Sequence, residues 1–236
     1  MKDFDCDSRL MTCAGFVRQG AVLADVGTDH AYLPIFLLRS GLICRAVLSD
    51  VNSGPLASAK ENAINAGVLD KCTLVLCDGA ADLSDLGITD YVIAGMGGEL
   101  IARIVSEARQ MKDPAVRLIL QPMSRPEVLR HFLLSEGFRI VEERFSSADS
   151  KHYVTILAEY CGEAQGCDLL TCHFGTFRAE GTDLSPMLAY LRARKSSLAR
   201  SIEGKAMGGI AAEEEKLLLE ECLRRIEAIE LNLGKC

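Results

Sequence analysis

The sequence is short of positive charge: its 236 residues hold 26 Lys+Arg against 33 Asp+Glu, a formal net charge of −7. That excludes whole-molecule attraction to nucleic acid or anionic lipid and leaves local basic patches as the route to a polyanion. No apolar run approaches the ~20 residues that span a bilayer, and the start, Met1-Lys2-Asp3-Phe4-Asp5, has no apolar signal core. A soluble cytoplasmic protein with no membrane partner is therefore expected, its ten cysteines reduced. No C-x-x-C pair occurs, and the spacing of Cys161, Cys167, Cys172 and His173 matches no usual zinc module, so no metal is expected. Internal repeats and low-complexity tracts are also missing. What is there is ordinary globular composition, 49% hydrophobic and 25% charged, enough for one domain plus an appendage at about 150 residues per domain.

From residue 21 to about 121, short apolar runs alternate with longer helical stretches. Residues 21–25, 45–49, 73–77, 90–94 and 116–120 read as strands, and their continuous apolar character belongs to a parallel sheet covered on both faces. Helices are expected at 31–40, 54–66, 97–110 and 125–136; Pro34 sits in the first turn of the first, and Gly67 and Gly137 stop the second and fourth. This βαβα rhythm predicts a doubly wound α/β sheet with right-handed crossovers. Residues 138–146 and 151–159 are strand-like and joined only by Ser147, Ala148, Asp149 and Ser150, so an antiparallel hairpin should end the sheet.

A mixed segment at 161–182 then leads into helices near 184–204 and 211–233. Leu188, Leu191, Lys195, Leu198 and Ile202 advance by three or four, as do Leu219, Cys222, Ile226, Ile229 and Leu233. Joined near Gly208-Gly209, the two should form an antiparallel α-helical hairpin. A further helix is expected at 7–18.

Open α/β sheets bind ligands at the carboxyl ends of their strands. The first run exits through Asp25, Val26, Gly27, Thr28, Asp29 and His30, where Gly27 permits close backbone approach and a helix N-terminus offers unpaired N–H groups. Asp29 occupies the second glycine position of G-x-G-x-x-G, so a pyrophosphate would meet a carboxylate, which counts against NAD or FAD. His30 is either a group that titrates near neutral pH or a helix cap. The second run ends at Asp50, which is either an acceptor for a ribose diol or, beside Asn52 and Ser53, a cap. The third ends at Asp78-Gly79. Carboxylates gathered at one edge repel unless they serve a ligand or neighbouring donors. A phosphate-free nucleoside with a cationic sulfonium, such as S-adenosylmethionine, suits that edge. The fourth run exits through Gly95-Met96-Gly97-Gly98, either a close backbone approach or a tight structural turn, and the fifth at Gln121-Pro122, whose amide can hold a base edge.

Asp25-Val26-Gly27-Thr28-Asp29-His30-Ala31-Tyr32-Leu33-Pro34, Gly54-Pro55, Asp78-Gly79, Ala94-Gly95-Met96-Gly97-Gly98, Leu118-Ile119-Leu120-Gln121-Pro122, Arg130, and Lys151 with Tyr153 form a specific pattern over about residues 8–160. In order and spacing it resembles the bacterial tRNA (adenine-N1)-methyltransferases of the TrmK type, which modify adenine 22. The resemblance implies a class I (Rossmann-like) methyltransferase domain with a seven-stranded sheet at 1–160, and a coiled-coil-like helical appendage at 161–236. It implies S-adenosyl-L-methionine as cofactor, lined by Asp25, Gly27, Asp50, Asp78, Gly79 and Gly95. Asp29, His30, Gly95, Met96 and Gly97 would face the adenine of a tRNA partner. Two positions depart from related patterns: AGMGG replaces the Asn/Asp-Pro-Pro-aromatic loop of many amino-methylating enzymes, and Met123 stands where the family can have Asn. A noncatalytic adaptor on the cofactor fold and a small-molecule N-methyltransferase are the competing readings.

The N1 lone pair of adenine needs no strong base, so positioning and electrostatics should carry catalysis, with Asp29 the candidate to stabilise the cationic product. The base must leave its pairing or stacking; Tyr32 is either its stacking surface or a core residue. Residues 192–205 carry Arg192, Arg194, Lys195, Arg200 and Lys205 against Glu203, a local +4. That tract is either a solvated face or a phosphate-binding surface, assisted in the second case by Arg9, Arg125, Arg130 and Lys151.

Overall fold

The apolar runs become strands whose successive residues feed two different cores. In the computed structural model, which describes residues 6–148, 150–175 and 184–233, the strands are β1 (Ala21–Val26), β2 (Ile43–Asp50), β3 (Cys72–Leu76), β4 (Asp90–Gly97), β5 (Arg117–Ser124), β6 (Phe138–Ala148) and β7 (Lys151–Tyr160). They form one seven-stranded sheet in the order β3-β2-β1-β4-β5-β7-β6. β1 to β5 are parallel and β7 runs antiparallel to both its neighbours. The helices are α1 (Ser8–Ala14), α2 (Tyr32–Arg39), α3 (Ser53–Asn65), α4 (Gly98–Glu107), α5 (Pro126–Ser135), α6 (Leu169–Phe174), α7 (Ser185–Met207) and α8 (Glu213–Leu233).

Side-chain alternation divides the sheet's contacts. Leu23, Leu48, Val92, Ile119 and Leu157 pack with Cys13, Ile35 and Ala59 of α1, α2 and α3. Ala24, Val47, Ile93, Leu120 and Ile156 pack with Ile101 and Leu129 of α4 and α5. Burial on both faces is why these strands read as unbroken apolar runs. Pro126 opens α5, and the Asp7 carboxylate caps α1 by accepting from Leu10 N at 2.8 Å.

Three local expectations change. The first helix stops at Ala14, because the next residues are held by polar bonds: Arg18 N and Nε donate to the buried carboxylate of Asp90 at 2.9 and 2.8 Å. The glycine-rich exit of β4 is not a tight turn; the strand continues to Gly97, paired with β5 across a bulge at Gly95. The β6–β7 hairpin is tighter than expected, its strands reaching Ala148 and Lys151 with Ser150 at φ +61°. Asp149 of that connection, and 176–182 of the mixed segment, lie outside the described residues.

The appendage helices meet through Leu188, Leu191 and Leu198 on one side and Leu218, Cys222, Ile226 and Ile229 on the other. Lys195, although in the apolar register, is exposed. Ion pairs Arg192–Glu230 (2.7 Å) and Lys205–Glu215 (2.5 Å) fix the antiparallel sense. Phe145 of β6 joins this small core, 5.0 Å from the Tyr190 ring. Beside it, Arg130 of α5 is fully buried: Nε donates to Glu143 Oε1 at 2.7 Å, and Nη1 to the carbonyls of Cys172 and His173 at 2.9 and 3.1 Å. Arg130 thus leaves the expected set of RNA contacts, because its charge is consumed inside the protein.

The expectation of uniformly reduced thiols is also corrected. Cys167 and Cys172, brought within 5.9 Å (Cα–Cα) by the single turn that opens α6, are joined as a disulfide. Among the described residues, no helix is long and apolar enough to cross a membrane.

Removing Glu143 leaves a buried, unpaired guanidinium. Glu143→Ala should therefore cost about 3–5 kcal/mol in denaturant unfolding, whereas pairing Glu143→Leu with Arg130→Met should recover most of that loss.

Candidate active site

The carboxyl edge of the sheet collects the polar strand exits. At the end of β1 the chain turns on one acceptor, since Gly27 N and Thr28 N both donate to Ser49 O of β2, at 2.8 and 2.9 Å. Thr28 is buried and its hydroxyl donates to Asp25 Oδ2 at 2.5 Å. Gly27 has φ +77°, a conformation side chains rarely adopt, and a Cβ there would stand 2.1 Å from the terminal methyl of Met96, so the β1 exit and the β4 exit are in contact. Gly98 meets a similar constraint: a Cβ would lie 2.2 Å from the carbonyl oxygen of Arg125, where α4 starts against the turn into α5.

Asp25 is the electrostatically perturbed group. Burial pushes its carboxyl up to about 6; the Thr28 hydrogen bond and the Arg9 charge pull the other way, and Asp50 adds to the rise. Asp50 accepts from Asn52 N at 2.7 Å, closing the turn into α3. Asp78 is exposed and takes two bonds from Arg103 of α4, at 3.0 and 3.3 Å, which hold its carboxyl below the usual range. Gly79 follows at φ +61°, over Ile104.

Asp29 and His30 face outward with 73% and 42% of their side chains exposed, His30 Nε2 lying 3.4 Å from Asp29 Oδ2. The His30 ring stacks on Tyr32 at 5.1 Å, and its carbonyl accepts from Asn62 at 3.0 Å. Ala31 occupies the N-cap of α2 with no side-chain cap, which removes the capping reading of His30; Tyr32, 38% exposed, is not a core residue.

Gln121 is a correction. It is fully buried, with Oε1 accepting from Arg9 Nη1 (2.9 Å) and Gly95 N (3.1 Å) and Nε2 donating to Pro122 O (3.0 Å). Its hydrogen-bonding capacity is spent inside the protein, so it reads no base edge. Arg9 is turned the same way, inward. Met123, two residues on, is exposed.

The remaining basic candidates are scattered. Arg125 pairs with Glu127 (2.9 Å) and Glu99 (3.4 Å). Arg192 pairs with Glu230, and Arg194 reaches His173 Nδ1 at 3.0 Å. Lys151 and Lys195 are exposed. Because β7 runs against β5, with Leu120 beside Ile156, Lys151 lies beyond the same carboxyl edge as Asp29 and Gly95.

The sequence reading missed the apolar part of this edge. Val51, Leu76 and Leu100 are all large, exposed and placed at strand ends or a first helical turn, along the same edge as the exposed Tyr32 and Met123 already singled out. The available signal was an apolar residue directly after a polar strand exit, as in Asp50-Val51. Exposed apolar side chains along an edge that also carries carboxylates and backbone N–H groups suit the face of a heteroaromatic ligand.

Comparisons with known proteins agree with this architecture. A family model described as a methyltransferase domain matches residues 6–156. The tRNA (adenine(22)-N(1))-methyltransferase of Bacillus subtilis (strain 168) is 32% identical over 159 residues, covering 67% of this chain and 67% of that protein. Streptococcus pneumoniae Sp1610, crystallised in complex with S-adenosyl-L-methionine, superposes with TM-score 0.80 at 33% identity, over 93% of this chain and 100% of that one. The crystal structure of the B. subtilis M1A22 tRNA methyltransferase TrmK gives TM-score 0.72 at 27% identity, over 97% and 98%.

The titration of Asp25 has a measurable sign. The unfolded chain releases this proton near 3.8 and the folded protein near 6, so this group's contribution to stability is full below about pH 4 and is lost as pH rises to about 6. Asp25→Asn should gain stability relative to the wild type across that window and hold the gain above it. A difference in denaturation midpoints that stays constant from pH 4 to 7 would sink the assignment.

Proposed function

The chain belongs to the tRNA (adenine(22)-N(1))-methyltransferase family, and from that premise we propose how its own residues divide the work of moving a methyl group from S-adenosyl-L-methionine to N1 of adenine 22 in a tRNA. One observation carries the reading: the β1 exit and the β4 exit touch at Gly27 and Met96, which puts Asp25, Asp29 and Gly95 on one rim.

The residues present fit the cofactor. Asp25 and Asp50 offer carboxylates to an amino group, a diol and a cationic centre, while Val51 and Leu76 offer exposed apolar surface to a purine face. The edge is acidic and would repel a diphosphate. When bound, the cofactor supplies a methyl group on a positively charged sulfur. Gly27, Gly79 and Gly95 let the backbone approach it.

Adenine is placed on the outward side, against Tyr32, His30 and Met123. Its N1 lone pair needs no prior deprotonation, so the protein's task is alignment. Transfer leaves the purine positively charged, and Asp29, exposed and unburdened by a strong cation, stabilises that charge as it forms. Lys151 at the hairpin tip and Arg125 hold tRNA phosphates at this rim, and Lys195, Arg192 and Arg194 on α7 hold phosphates farther from it. Residues 161–236 serve as the RNA-facing appendage, and a tRNA substrate places the protein in the cytoplasm.

Incubation of the wild type with tRNA and the cofactor should yield 1-methyladenosine by nucleoside mass spectrometry; a methylated small molecule and unmodified tRNA would defeat the assignment. Asp29→Ala should lose turnover on the order of 100-fold while calorimetry shows cofactor affinity unchanged.

Lys151→Glu and Lys195→Glu should each weaken tRNA binding and lower the slope of log affinity against log salt by about one. A slope equal to the wild type's would remove that residue from the contact surface.

A further inference from the structure

Arg9 is basic and lies at the active-site rim, yet only 18% of its side chain is exposed. Its Nη2 donates to Asp7 Oδ2 at 3.3 Å, and its Nη1 to Gln121 Oε1 at 2.9 Å. Asp7 in turn caps α1. A continuous line of bonds therefore runs from the α1 cap through Arg9 and Gln121 to the amide of Gly95.

The bulge at Gly95 explains why that line matters. The register between β4 and β5 breaks on either side of Met96, and Gly95 sits at φ +80°, passed over by the pairing of the two strands. The Gln121 oxygen accepts from its N–H at 3.1 Å. A glutamine side chain can face Gly95 with either its oxygen or its NH₂, and the NH₂ would set donor against donor. Arg9 has only donors, so its contact holds the oxygen inward, acting with the bond from Gln121 Nε2 to Pro122 O at 3.0 Å. α1 is itself held against the hairpin, since Ser8 Oγ donates to Ser147 O at 2.5 Å and Arg144 Nη1 to Gly15 O at 3.1 Å.

We propose that Arg9 is a positioning residue for methyl transfer: by fixing the orientation of the Gln121 amide it holds the Gly95 amide, and with it the Gly95–Gly97 segment beside Gly27. The proposal rests on the reading of this edge as the methyl-transfer site. It replaces the expectation that Arg9 contacts RNA. Arg9 also provides the cation facing Asp25, whose other neighbours are the Thr28 hydroxyl, the Cys13 thiol of α1 and Asp50 at the end of β2. Loss of Arg9 therefore favours the protonated form of Asp25.

The test compares Arg9→Met, Arg9→Gln and Arg9→Lys in the full chain. Arg9→Met and Arg9→Gln should lower kcat about 10- to 100-fold, as expected for misplacement near a reacting centre, with KM for tRNA and its salt dependence unchanged. The acid limb of the pH–rate profile should move to higher pH in both. Arg9→Lys, still a donor-only cation, should restore the acid limb and most of kcat. Independently of activity, hydrogen exchange at the Gly95 amide should quicken at least about tenfold in Arg9→Met and return in Arg9→Lys. If Arg9→Met does not fold, the same kinetic and exchange measurements on Arg9→Gln and Arg9→Lys decide between the outcomes. Unchanged kcat and unchanged Gly95 exchange in Arg9→Met and Arg9→Gln, with a wild type that makes 1-methyladenosine, would overturn the proposal alone. A raised tRNA KM with a shallower salt slope and intact kcat would make Arg9 a phosphate contact instead. A wild type that makes no 1-methyladenosine would overturn the reading of the site, and the kinetic part of the proposal with it, while the exchange result still decides the Arg9–Gln121–Gly95 linkage.

Discussion

Two guanidinium groups converge on the last carbonyls of α6 from different parts of the molecule. Arg130, carried by α5, takes Cys172 and His173. Arg225, carried by α8, takes Phe174 and Gly175 at 3.1 and 3.2 Å. The final turn of a helix exposes unpaired acceptors and the negative end of its dipole, so a cation on each side satisfies both. Each arginine is also neutralised, by Glu143 at 2.7 Å and by Glu221 at 2.7 Å. A six-residue helix that would be marginal alone thereby becomes the joint through which the appendage is seated on the sheet. Gly175 is part of the same joint: a Cβ there would fall 1.7 Å from Glu143 Oε2, so the carboxylate occupies the space a side chain would need.

Charge elsewhere is distributed by the same logic of local settlement. Much of the acidic excess has a nearby partner, as at Asp90 with Arg18 and Asp78 with Arg103. The basic tract on α7 is partly spent on α8, through Glu230 and Glu215. What is left exposed near the rim is a small number of cations and a set of carboxylates. A net charge of −7 therefore says little about a structured polyanion that meets only that rim.

The strands and crossover helices were legible because burial on both faces writes itself as continuous apolar sequence, and the hairpin because four residues cannot contain a crossover. Asp25, Gly27 and Asp29 were legible as a rim because strand exits in this topology share one edge. Gln121 and Arg130 were misread for a common reason: each is a polar side chain at an exposed-looking position whose partner is distant in sequence, Arg9 for Gln121 and the α6 carbonyls for Arg130. Of the two readings of the β4 exit, close backbone approach holds and the tight turn fails; glycine marks both turns and bulges, and only the pairing of Met96 with Pro122 distinguishes them. The Cys167–Cys172 bond carries no spacing signal of its own.

The β6–β7 ribbon holds the appendage at Phe145 and presents Lys151 at its tip, three paired positions further on. At about 3.4 Å per residue that separation is about 10 Å, and it is set by strand pairing, which does not stretch. The ribbon therefore acts as a ruler between the helices and the catalytic rim. A homologue could change the reach between its appendage and its target nucleotide only by adding or deleting whole residue pairs, in steps of two if the side chains are to keep their faces.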